Sequence, residues 1–527
     1  MIIKNGLHLI LLNFARAKTF AMKKNLFIIS ILLFAALQLN AQKDAVGIFD
    51  NQTDVGYVPI KGSCKYNTAN QEYTIVGSGQ NIWARHDDFH FVWKKMKGDF
   101  ILRTNGTFTG KGAEEHRKWG WMIRASLDSS SPHANAVVHG NGLTSLQFRK
   151  TTGDTTQEKR STLTNADVVE LERKGKTIIM RVAHSGETFI SDSIDLDLGD
   201  DVYVGLFVCS HNAGVSETAV FHNVRIVIPA PSSLVPYRQY LGSQLEILDV
   251  ATGNSKIIYQ SPRSIQAPNY INDGKHLIYN SDGLIYKFDL ATITSTVLNT
   301  GSVKNCNNDH VISWDGKTLG ISSSETANGP SLVWTVPMTG GEPKKITSTG
   351  PSYLHGWSTD EKSLVFVGQR SNEFDIYKIS ADGGEEVRLT TAKGLDDGCE
   401  YSPDGKYIYF NSVRSGSMQI YRMKPDGSNQ EQLTNDEWNN WFPHISPDGK
   451  WIVFISFGKD VSPSDHPFYK HVYLRLMAAD GGAPKVIAYL YGGQGTINTP
   501  CWSPDSKQIA FISNSNFLSP IYPTEKK

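Results

Sequence analysis

Alternating apolar and polar residues, interrupted by turns of the Asp-Gly-Lys type, recur through the second half of the chain. An alternating run predicts a half-buried β-strand, and the residue after the Asp supplies the positive φ of a tight hairpin. The spacings between turns are 42, 45, 44, 44 and 57 residues, and the turns begin at Asp273, Asp315, Asp360, Asp404, Asp448 and Asp505. This period is that of a four-stranded propeller blade.

The two ends of the repeat region are complementary halves of one blade. Residues 245–259 contain the outer strands of a blade without the inner ones, and residues 501–512 contain inner strands without outer ones. Pairing the two halves closes a ring and leaves no exposed sheet edge. We therefore predict a six-bladed β-propeller over residues 237–515, closed by strands from both ends of the domain, and a C-terminal tail at 516–527.

The first half of the chain contains β-strand patterns without the 44-residue repeat. Strand-like runs begin at Phe89, Asp99, Lys118, Thr177 and Val202, and such a set predicts a two-sheet jelly roll over residues 46–228. Residues 229–236 hold three prolines and are predicted to be a linker, because proline cannot continue a sheet ladder. The predicted fold class is therefore all-β, with a jelly roll followed by a propeller.

The N-terminal 41 residues have the pattern of a secretory signal peptide. Two lysines after Met22 precede an apolar run from Leu26 to Leu37 and a small residue at Ala41, which makes Met22 a candidate initiator. The first cysteine is Cys64, so we expect no lipid anchor at the cleavage point. The predicted location is periplasmic or secreted, with no membrane anchor after signal removal.

Composition narrows the classes of partner and chemistry. Lys plus Arg and Asp plus Glu both number 52, so there is no basic surface excess for nucleic acid. The five cysteines are scattered and form no metal-binding pair such as Cys-x-x-Cys. No Gly-x-Ser-x-Gly elbow occurs, which argues against a prolyl-oligopeptidase-type peptidase, and no phosphate-binding P-loop occurs.

Two family resemblances extend these predictions. Residues 119–126, 204–212 and 219–224 resemble the concanavalin-A-like jelly roll of secreted carbohydrate-active proteins. The Ser-Pro-Asp-Gly-Lys phrases resemble the propeller repeat of the TolB family and of the related oligogalacturonate lyases. The first resemblance implies glycan recognition, with Trp83, Trp119, Trp121 and Arg124 as candidates; for at least one of Trp119 and Trp121 the alternative is core packing. The second resemblance implies either partner binding or metal-assisted cleavage of a uronate.

Unusual polar residues concentrate where the connections between blades are predicted. That end of the central channel, which we call the mouth, is the default place for a site in a propeller. His310, His355 and His444 occupy similar places before their turns, and the lyase resemblance implies that they hold a divalent metal such as Mn, Ca or Zn. The alternative is that each histidine bonds the backbone of a neighbouring blade.

The other candidate residues are assigned by chemical type. His310, Asp397 and Glu400 are candidate catalytic residues, since paired carboxylates can supply an acid and a base. Alternatively, Asp396 and Asp397 pair with Arg370 or Arg414 as structural ion pairs. The candidate substrate-binding residues are Arg414, Asn440, Trp441, Gln494 and Asn498. For Trp441 the alternative is packing between blades.

Two functions remain open from the sequence. The first is a secreted carbohydrate-active protein that binds an oligosaccharide and cleaves it as a metal-assisted polysaccharide lyase or glycoside hydrolase. The second is a non-catalytic TolB-like propeller that binds a protein partner in the cell envelope. A mouth rich in His, Asp, Glu and Asn favours chemistry, because protein-binding surfaces favour Tyr, Trp and Arg.

Overall fold

The computed structural model describes residues 46–517, in which the regular structure consists of 39 β-strands. The predicted signal peptide at 1–41 and the end of the predicted tail lie outside the described residues. Within residues 46–517 we find no helix with the length and apolar character needed to cross a bilayer.

The N-terminal domain is a sandwich of two seven-stranded antiparallel sheets and a small two-stranded hairpin. The first sheet contains, in spatial order, β1 (Asn51–Val55), β6 (Phe89–Met96), β15 (Val202–Cys209), β8 (Lys118–Arg124), β9 (His133–His139), β10 (Thr144–Arg149) and β11 (Gln157–Arg160). The second contains β14 (Ile190–Asp195), β13 (Thr177–Ala183), β12 (Val168–Lys174), β7 (Phe100–Phe108), β16 (Glu217–Val227), β3 (Glu72–Gly77) and β2 (Ser63–Asn67). The hairpin is β4 (Ile82–Trp83) and β5 (His86–Asp87).

The core of the sandwich lies between the inner faces of these sheets. Trp121 and Leu206 from the first sheet pack in one buried cluster with Leu102, Leu171 and Phe221 from the second. Alternation along each strand places such residues inward and leaves the other face for different chemistry. The finer classification as a concanavalin-A-like jelly roll stays a prediction.

The C-terminal domain is a six-bladed propeller. Blade one contains β19 (Gln266–Tyr270), β20 (His276–Ser281), β21 (Leu284–Asp289) and β22 (Thr294–Val297), and blade two contains β23 (Cys306–Ile312), β24 (Thr318–Ser324), β25 (Ser331–Pro337) and β26 (Lys344–Lys345). Blade three contains β27 (Ser352–Trp357), β28 (Ser363–Arg370), β29 (Glu373–Ser380) and β30 (Val387–Arg388), and blade four contains β31 (Asp396–Tyr401), β32 (Ile408–Ser412), β33 (Gln419–Met423) and β34 (Glu431–Gln432). Blade five contains β35 (Asn439–Ile445), β36 (Trp451–Phe457), β37 (Lys470–Ala478) and β38 (Lys485–Gly492).

Blade six is assembled from both ends of the domain, as the complementary half-blades predict. The C-terminal strand β39 (Gln508–Ser515) pairs with β17 (Gly242–Asp249), which in turn pairs with β18 (Ser255–Ser261). A bridge from Trp502 to Ile509 supplies the inner edge. The ring therefore closes through strand pairing between residues distant in sequence, from Gly242 with Ser515 to Asp249 with Gln508.

The six Asp-containing turns adopt the predicted backbone conformation. The residue after the Asp has a positive φ even where it is not glycine, at Glu361 (φ 60°) and Ser506 (φ 62°). In the turn of blade five, Ser446 Oγ donates to Asp448 Oδ1 at 2.6 Å, and Lys450 N donates to the same oxygen at 3.1 Å. The aspartates therefore satisfy the local hydrogen bonds of the turn and are structural.

Specific buried contacts fix the sandwich against the propeller. Arg225 Nη2 of β16 lies 2.6 Å from Glu246 Oε2 of β17. The Gln71 side chain donates to Ile257 O at 2.8 Å and accepts from Ile257 N at 3.0 Å. Arg103 Nη1 of β7 donates to Tyr489 O in blade five. The two domains therefore share an interface with paired polar groups, and residues 228–241 connect them without a regular strand.

Candidate functional site

The inner strands of the blades define two ends of the central channel. Each inner strand runs from the connection with the preceding blade towards its Asp-containing turn, so its first residues lie at the mouth. Its last residues lie at the opposite end, which we call the turn face. The predicted site residues divide between these two ends.

At the mouth, Asp309, His355 and Asp397 come together from blades two, three and four. His355 Nε2 lies 3.1 Å from Asp397 Oδ1, and both side chains are largely buried. Burial raises the pKa of Asp309 to about 6, an effect that nearby Asp397 reinforces and His355 opposes. We call these three residues the mouth cluster.

The protonation states within the mouth cluster are set by opposing effects. Burial lowers the pKa of His355, but its hydrogen bond to Asp397 and the charges of Asp309 and Asp397 raise it above the usual value overall. Burial also raises the pKa of Asp397, yet its hydrogen bond and ion pair with His355 bring it below the usual value. The arrangement therefore favours an ionised Asp397 beside a protonated His355, with Asp309 as the group that titrates near neutral pH.

Gln494 and Asn498, both predicted to bind substrate, lie beside the mouth cluster. Asn498 forms a side-chain hydrogen bond with Asp309, and Asn498 Nδ2 donates to Gln494 Oε1 at 3.1 Å. Gln494 Nε2 then reaches Asn308 Oδ1 at 3.4 Å. The two amides therefore extend the polar network across the channel from blade six to blade two.

Glu400 and His444 form a separate pair, closer to the turn face. His444 Nδ1 lies 2.6 Å from Glu400 Oε2, and Ile445 N donates to Glu400 Oε1 at 3.2 Å. The other ring nitrogen of His444 bonds the carbonyl of Ile497, and Trp502 Nε1 donates to His444 O at 3.0 Å. The pair thus links blades four, five and six.

The three histidines predicted as metal ligands are not brought together. His355 belongs to the mouth cluster, and His444 is held by Glu400 and Ile497. His310 is fully buried, and its pKa falls to about 4 because of burial, although the Ile278 and Ala267 carbonyls of blade one lie beside it. Neither of its ring nitrogens makes a hydrogen bond with good geometry. This arrangement therefore fits the alternative, in which the three histidines contact separate neighbours, better than it fits a shared metal site.

Three predicted substrate-binding residues serve internal contacts instead. Arg414 Nη2 lies 2.8 Å from Asp396 Oδ2, as the ion-pair alternative expected. Asn440 is fully buried, and its amide donates to Gln419, Thr434 and Asp436. Trp441 is also fully buried and packs edge-on against His466 with 4.4 Å between ring centroids. Asn440 and Trp441 are therefore enclosed in this conformation, whereas the Arg414 side chain is held by Asp396 and stays 19% exposed.

The insertion at 459–471 braces the mouth. His466 contacts both Trp441 and Phe442 of the inner strand β35, and Gln494 N donates to Pro467 O at 3.2 Å. Tyr469 OH accepts from Leu241 N at 2.9 Å. The insertion therefore connects the inner strand of blade five with the segment that leads into the propeller.

Sequence reasoning missed an aromatic cavity of about 270 Å³ at the turn face. Its walls include Tyr270, Trp314, Trp357, Tyr401 and Trp502, and the buried carboxylate of Glu400 also lines it. We call this space the turn-face cavity. A sequence signal for it exists, because the position three residues before each turn Asp is Tyr, Ile, Trp, Tyr, Ile and Trp in blades one to six.

The indole N–H groups around the turn-face cavity are used by the propeller itself. Trp357 Nε1 donates to Val311 O at 2.9 Å and Trp314 Nε1 donates to Trp357 O at 3.0 Å. These bonds run between neighbouring blades, so they fix the orientation of the two indole side chains. The cavity therefore presents preformed apolar walls, which is the usual character of a ligand pocket.

One group in residues 46–517 has the spacing expected of metal ligands. Glu170, Glu172 and His471 place ligand atoms within 4.8 Å of one another at the domain interface. However, Arg181 Nη1 lies 2.7 Å from Glu170 Oε1 and 2.5 Å from Glu172 Oε2, and Arg103 Nε lies 2.9 Å from Glu170 Oε2. The guanidinium groups already neutralise these carboxylates, so the group fits an ion-pair network better than a cation site.

The mouth cluster leads to a prediction about pH. The pKa of Asp309 is higher in the folded protein than the usual value of an unfolded Asp, so the contribution of Asp309 to stability falls as pH rises from about 4 to 6. The raised pKa of His355 acts in the same direction, because its contribution is lost above its folded pKa. We expect Asp309→Asn to remove this unfavourable contribution, and therefore to raise stability relative to the parent at pH 8 by up to about 3 kcal/mol and to leave it little changed at pH 4.

Urea unfolding of the parent and of Asp309→Asn between pH 4 and pH 8 measures this effect. Asp315→Asn is a suitable control, since Asp315 lies in a solvent-facing turn where its lowered pKa gives stability the opposite pH dependence. An Asp309→Asn protein that is less stable than the parent at pH 8 would show that the ionised carboxylate stabilises the mouth.

The fold and the channel define the class of this protein as a six-bladed β-propeller with an N-terminal β-sandwich. The family model of the TolB β-propeller domain, PD40, matches residues 354–466. The protein Atu1656 of Agrobacterium fabrum (strain C58) is 45% identical over 271 residues, which are 51% of this chain and 92% of that protein. The chain therefore belongs to the family of TolB-like PD40 propellers.

Two further comparisons show similarity to proteins that carry the name TolB. A solved structure assigned to TolB of Agrobacterium tumefaciens has 44% sequence identity and a TM-score of 0.50, and it covers 52% of this chain and 99% of that chain. The Tol-Pal system protein TolB of Francisella tularensis (strain WY96-3418) is 24% identical over 151 residues. That match spans 28% of this chain and 35% of TolB.

Proposed function

We propose that this protein is a TolB-like binding protein of the cell envelope, and that its turn-face cavity receives a segment of a partner protein. The observation that carries the proposal is the cavity of about 270 Å³ with aromatic walls and one buried carboxylate. Residues that anchor protein interfaces are enriched in Trp and Tyr, placed in well-packed pockets. The turn-face cavity supplies five such rings on a rigid frame.

The chemistry of the turn-face cavity suggests what the partner inserts. Apolar walls of Trp314, Trp357 and Tyr401 stabilise a bound apolar or aromatic side chain, at roughly 25 cal/mol per Å² of area removed from water. Both oxygens of Glu400 already accept hydrogen bonds, one from His444 and one from Ile445. The carboxylate therefore does not require a cationic group from the partner. The partner segment is therefore mainly apolar where it enters.

The relatives support an envelope role. The similar Francisella protein is by its name a component of the Tol-Pal system, and we extend a role in binding protein partners to this chain as part of the proposal. The predicted signal peptide at 1–41 would deliver the protein to the periplasm. We also infer that the sandwich is a concanavalin-A-like jelly roll, which makes this chain a propeller with a second recognition domain.

A second candidate function rests on the mouth cluster. A buried carboxyl with a pKa near 6 beside an ionised carboxylate and a histidine can transfer protons to an oligosaccharide, as a lyase or hydrolase requires. The engagement of Arg414 by Asp396 removes the predicted anion clamp from this scheme. If the mouth cluster is catalytic, the parent protein should cleave uronate oligosaccharides into detectable products, and the Asp397→Asn protein should not.

Site-specific crosslinking tests the preferred proposal. A photoreactive phenylalanine analogue would replace Trp314, which lines the turn-face cavity and is 39% exposed, or Trp451, which is 40% exposed and does not line it. In cells that produce the full chain, we expect one discrete protein adduct from position 314 and none from position 451. Equal adducts at both positions, or no adduct at position 314, would contradict a partner in the cavity.

A further inference from the structure

A second cavity lies between the sandwich and the propeller. Its volume is about 140 Å³, several times the roughly 15 Å³ that one ordered water needs. The sandwich side of its wall comes from β7, β16 and the loop after β13, and the propeller side comes mainly from β17, the turn after β17 and β38. We call this space the interdomain cavity. A molecule bound in it would contact both domains at once.

The charged side chains that line the interdomain cavity are two arginines and one glutamate, Arg103, Arg225 and Glu246. Arg225 is engaged by the wall, since its Nη2 lies 2.6 Å from Glu246 Oε2 and 2.9 Å from Ser255 Oγ. Glu246 is engaged as well, because its other oxygen accepts a hydrogen bond from Ser513. The wall therefore carries one more cationic than anionic side chain, which favours an anion in the cavity.

Arg103 is the lining residue whose hydrogen bonds are incomplete. The residue is 5% exposed. Its Nε lies 2.9 Å from Glu170 Oε2, and its Nη1 donates to Tyr489 O. Its Nη2 has no hydrogen-bond partner within residues 46–517. A buried donor without an acceptor is destabilising, and native proteins contain few of them. A hydrogen-bond acceptor bound in the interdomain cavity would complete the set.

The ion-pair network behind Arg103 does not supply this acceptor. Glu170 shares its carboxylate between Arg103 and Arg181, and Glu172 pairs with Arg181 at 2.5 Å. Both glutamates also lie within 3.5 Å of ring nitrogens of His471. Neither glutamate lines the interdomain cavity. The network therefore holds Arg103 through Nε and leaves Nη2 to a ligand.

We propose that the interdomain cavity binds a small oxyanion, such as phosphate, sulfate or a short carboxylate, with Arg103 as its principal donor. The planar donor fork of a guanidinium matches the oxygens of these anions, and hydrogen bonds between charged groups are among the strong ones in proteins. Asn105 and Ser185 add neutral hydrogen-bonding groups to the same wall. The small volume excludes a drug-sized ligand or a chain of sugars.

An oxyanion in this place would reinforce the contact between the two domains. Arg103 belongs to the sandwich strand β7, and its Nη1 already bonds Tyr489 O of blade five. A ligand that binds only the assembled interface stabilises it in proportion to its concentration and affinity. The interdomain cavity shares no lining residue with the turn-face cavity, so either proposal can fail without the other.

Titration calorimetry of the full chain tests the proposal, with inorganic phosphate, sulfate and succinate as probes at constant ionic strength. Arg103→Lys removes Nη2 but keeps a cation beside Glu170. Ser185→Trp places a bulky ring in the wall, because the Ser185 hydroxyl faces Asn105 Nδ2 at 3.4 Å. Arg181→Lys is the matched control, since Arg181 bonds the same Glu170 without lining the cavity. We expect at least one probe to bind the parent and the control similarly, and both variants about tenfold more weakly.

Thermal unfolding provides the second readout. Phosphate and sulfate stabilise many proteins because they are excluded from the surface, so the difference between variants is the informative quantity. We expect the bound probe to raise the unfolding temperature of the parent and of Arg181→Lys more than that of Arg103→Lys. If Arg103→Lys does not fold, Ser185→Trp takes its place in this comparison.

Two results would overturn the proposal. The first is that none of the three probes binds the parent, which would assign the interdomain cavity to water. The second is that a probe binds with the same affinity to the parent and to Ser185→Trp or Arg103→Lys, which would place the anion elsewhere on the surface.

Discussion

Replacing Asp87 with alanine is expected to lower the free energy of unfolding by about 3–5 kcal/mol, because it leaves buried guanidinium groups without their anion. Arg149 bonds Asp87 with both terminal nitrogens, at 2.9 and 2.7 Å. Arg124 Nη2 lies 3.4 Å and His133 Nδ1 3.5 Å from the same carboxylate, and all four side chains have zero exposure. One carboxylate therefore compensates two buried arginines.

The physical basis of this effect is desolvation. Burial lowers the pKa of Arg124 to about 10 and that of His133 to about 4, although Asp87 acts against both shifts. Urea unfolding of Asp87→Ala measures the loss, and Asp87→Asn is the matched control, since it keeps the shape and an acceptor oxygen. We expect Asp87→Asn to lose less than Asp87→Ala. A loss below about 1 kcal/mol for Asp87→Ala would mean that water reaches the arginines.

Replacing Glu400 with alanine is the second large expected effect, again a loss of about 3–5 kcal/mol. The substitution removes the acceptor for both His444 Nδ1 and Ile445 N in an enclosed part of the channel. Because His444 also contacts the Ile497 carbonyl, the loss weakens the joints between blades four, five and six. The measurement is the urea midpoint of the propeller.

A double-mutant cycle separates the interaction energy between Glu400 and His444 from the cost of the cavity that each truncation leaves. We expect His444→Ala in the Glu400→Ala background to cost far less than His444→Ala alone, with a coupling of about 1 kcal/mol or more. Strictly additive losses would show that Glu400 and His444 stabilise the propeller separately.

The ring of blades could be predicted because its determinants are local and repeated. Each turn needs one residue with a positive φ after an Asp, and Glu361 and Ser506 take that conformation because the surrounding hairpin demands it. The closure of blade six followed from two half-blades that each needed a partner. Both predictions depend on strand patterns and not on the direction of any single side chain.

The directions of the channel residues could not be predicted in the same way. The inner strands of blades one to five each contain a register shift, as between Cys306 and His310 or between Trp441 and His444. Such a bulge reorients the side chains that follow. His310, His355 and His444 precede their turns by similar numbers of residues, but the bulges leave them in three different surroundings.

The turn-face cavity was missed for a different reason. Polar residues are the usual sequence signal of a functional site, whereas this cavity is formed by Trp, Tyr and Pro side chains that look like ordinary core positions in a strand pattern. Only the closed ring shows that these side chains surround an open space. The mouth, by contrast, is dense in polar residues because they bond one another across the channel.

The most direct test of the account is the affinity of the crosslinked partner for Trp314→Ala and Trp451→Ala proteins, each checked for an unchanged unfolding temperature. If the turn-face cavity binds the partner, Trp314→Ala should lose about 2 kcal/mol, or roughly 30-fold in Kd, while Trp451→Ala stays within about twofold of the parent. Equal affinities for the two variants would place the partner elsewhere on the propeller and contradict the central claim.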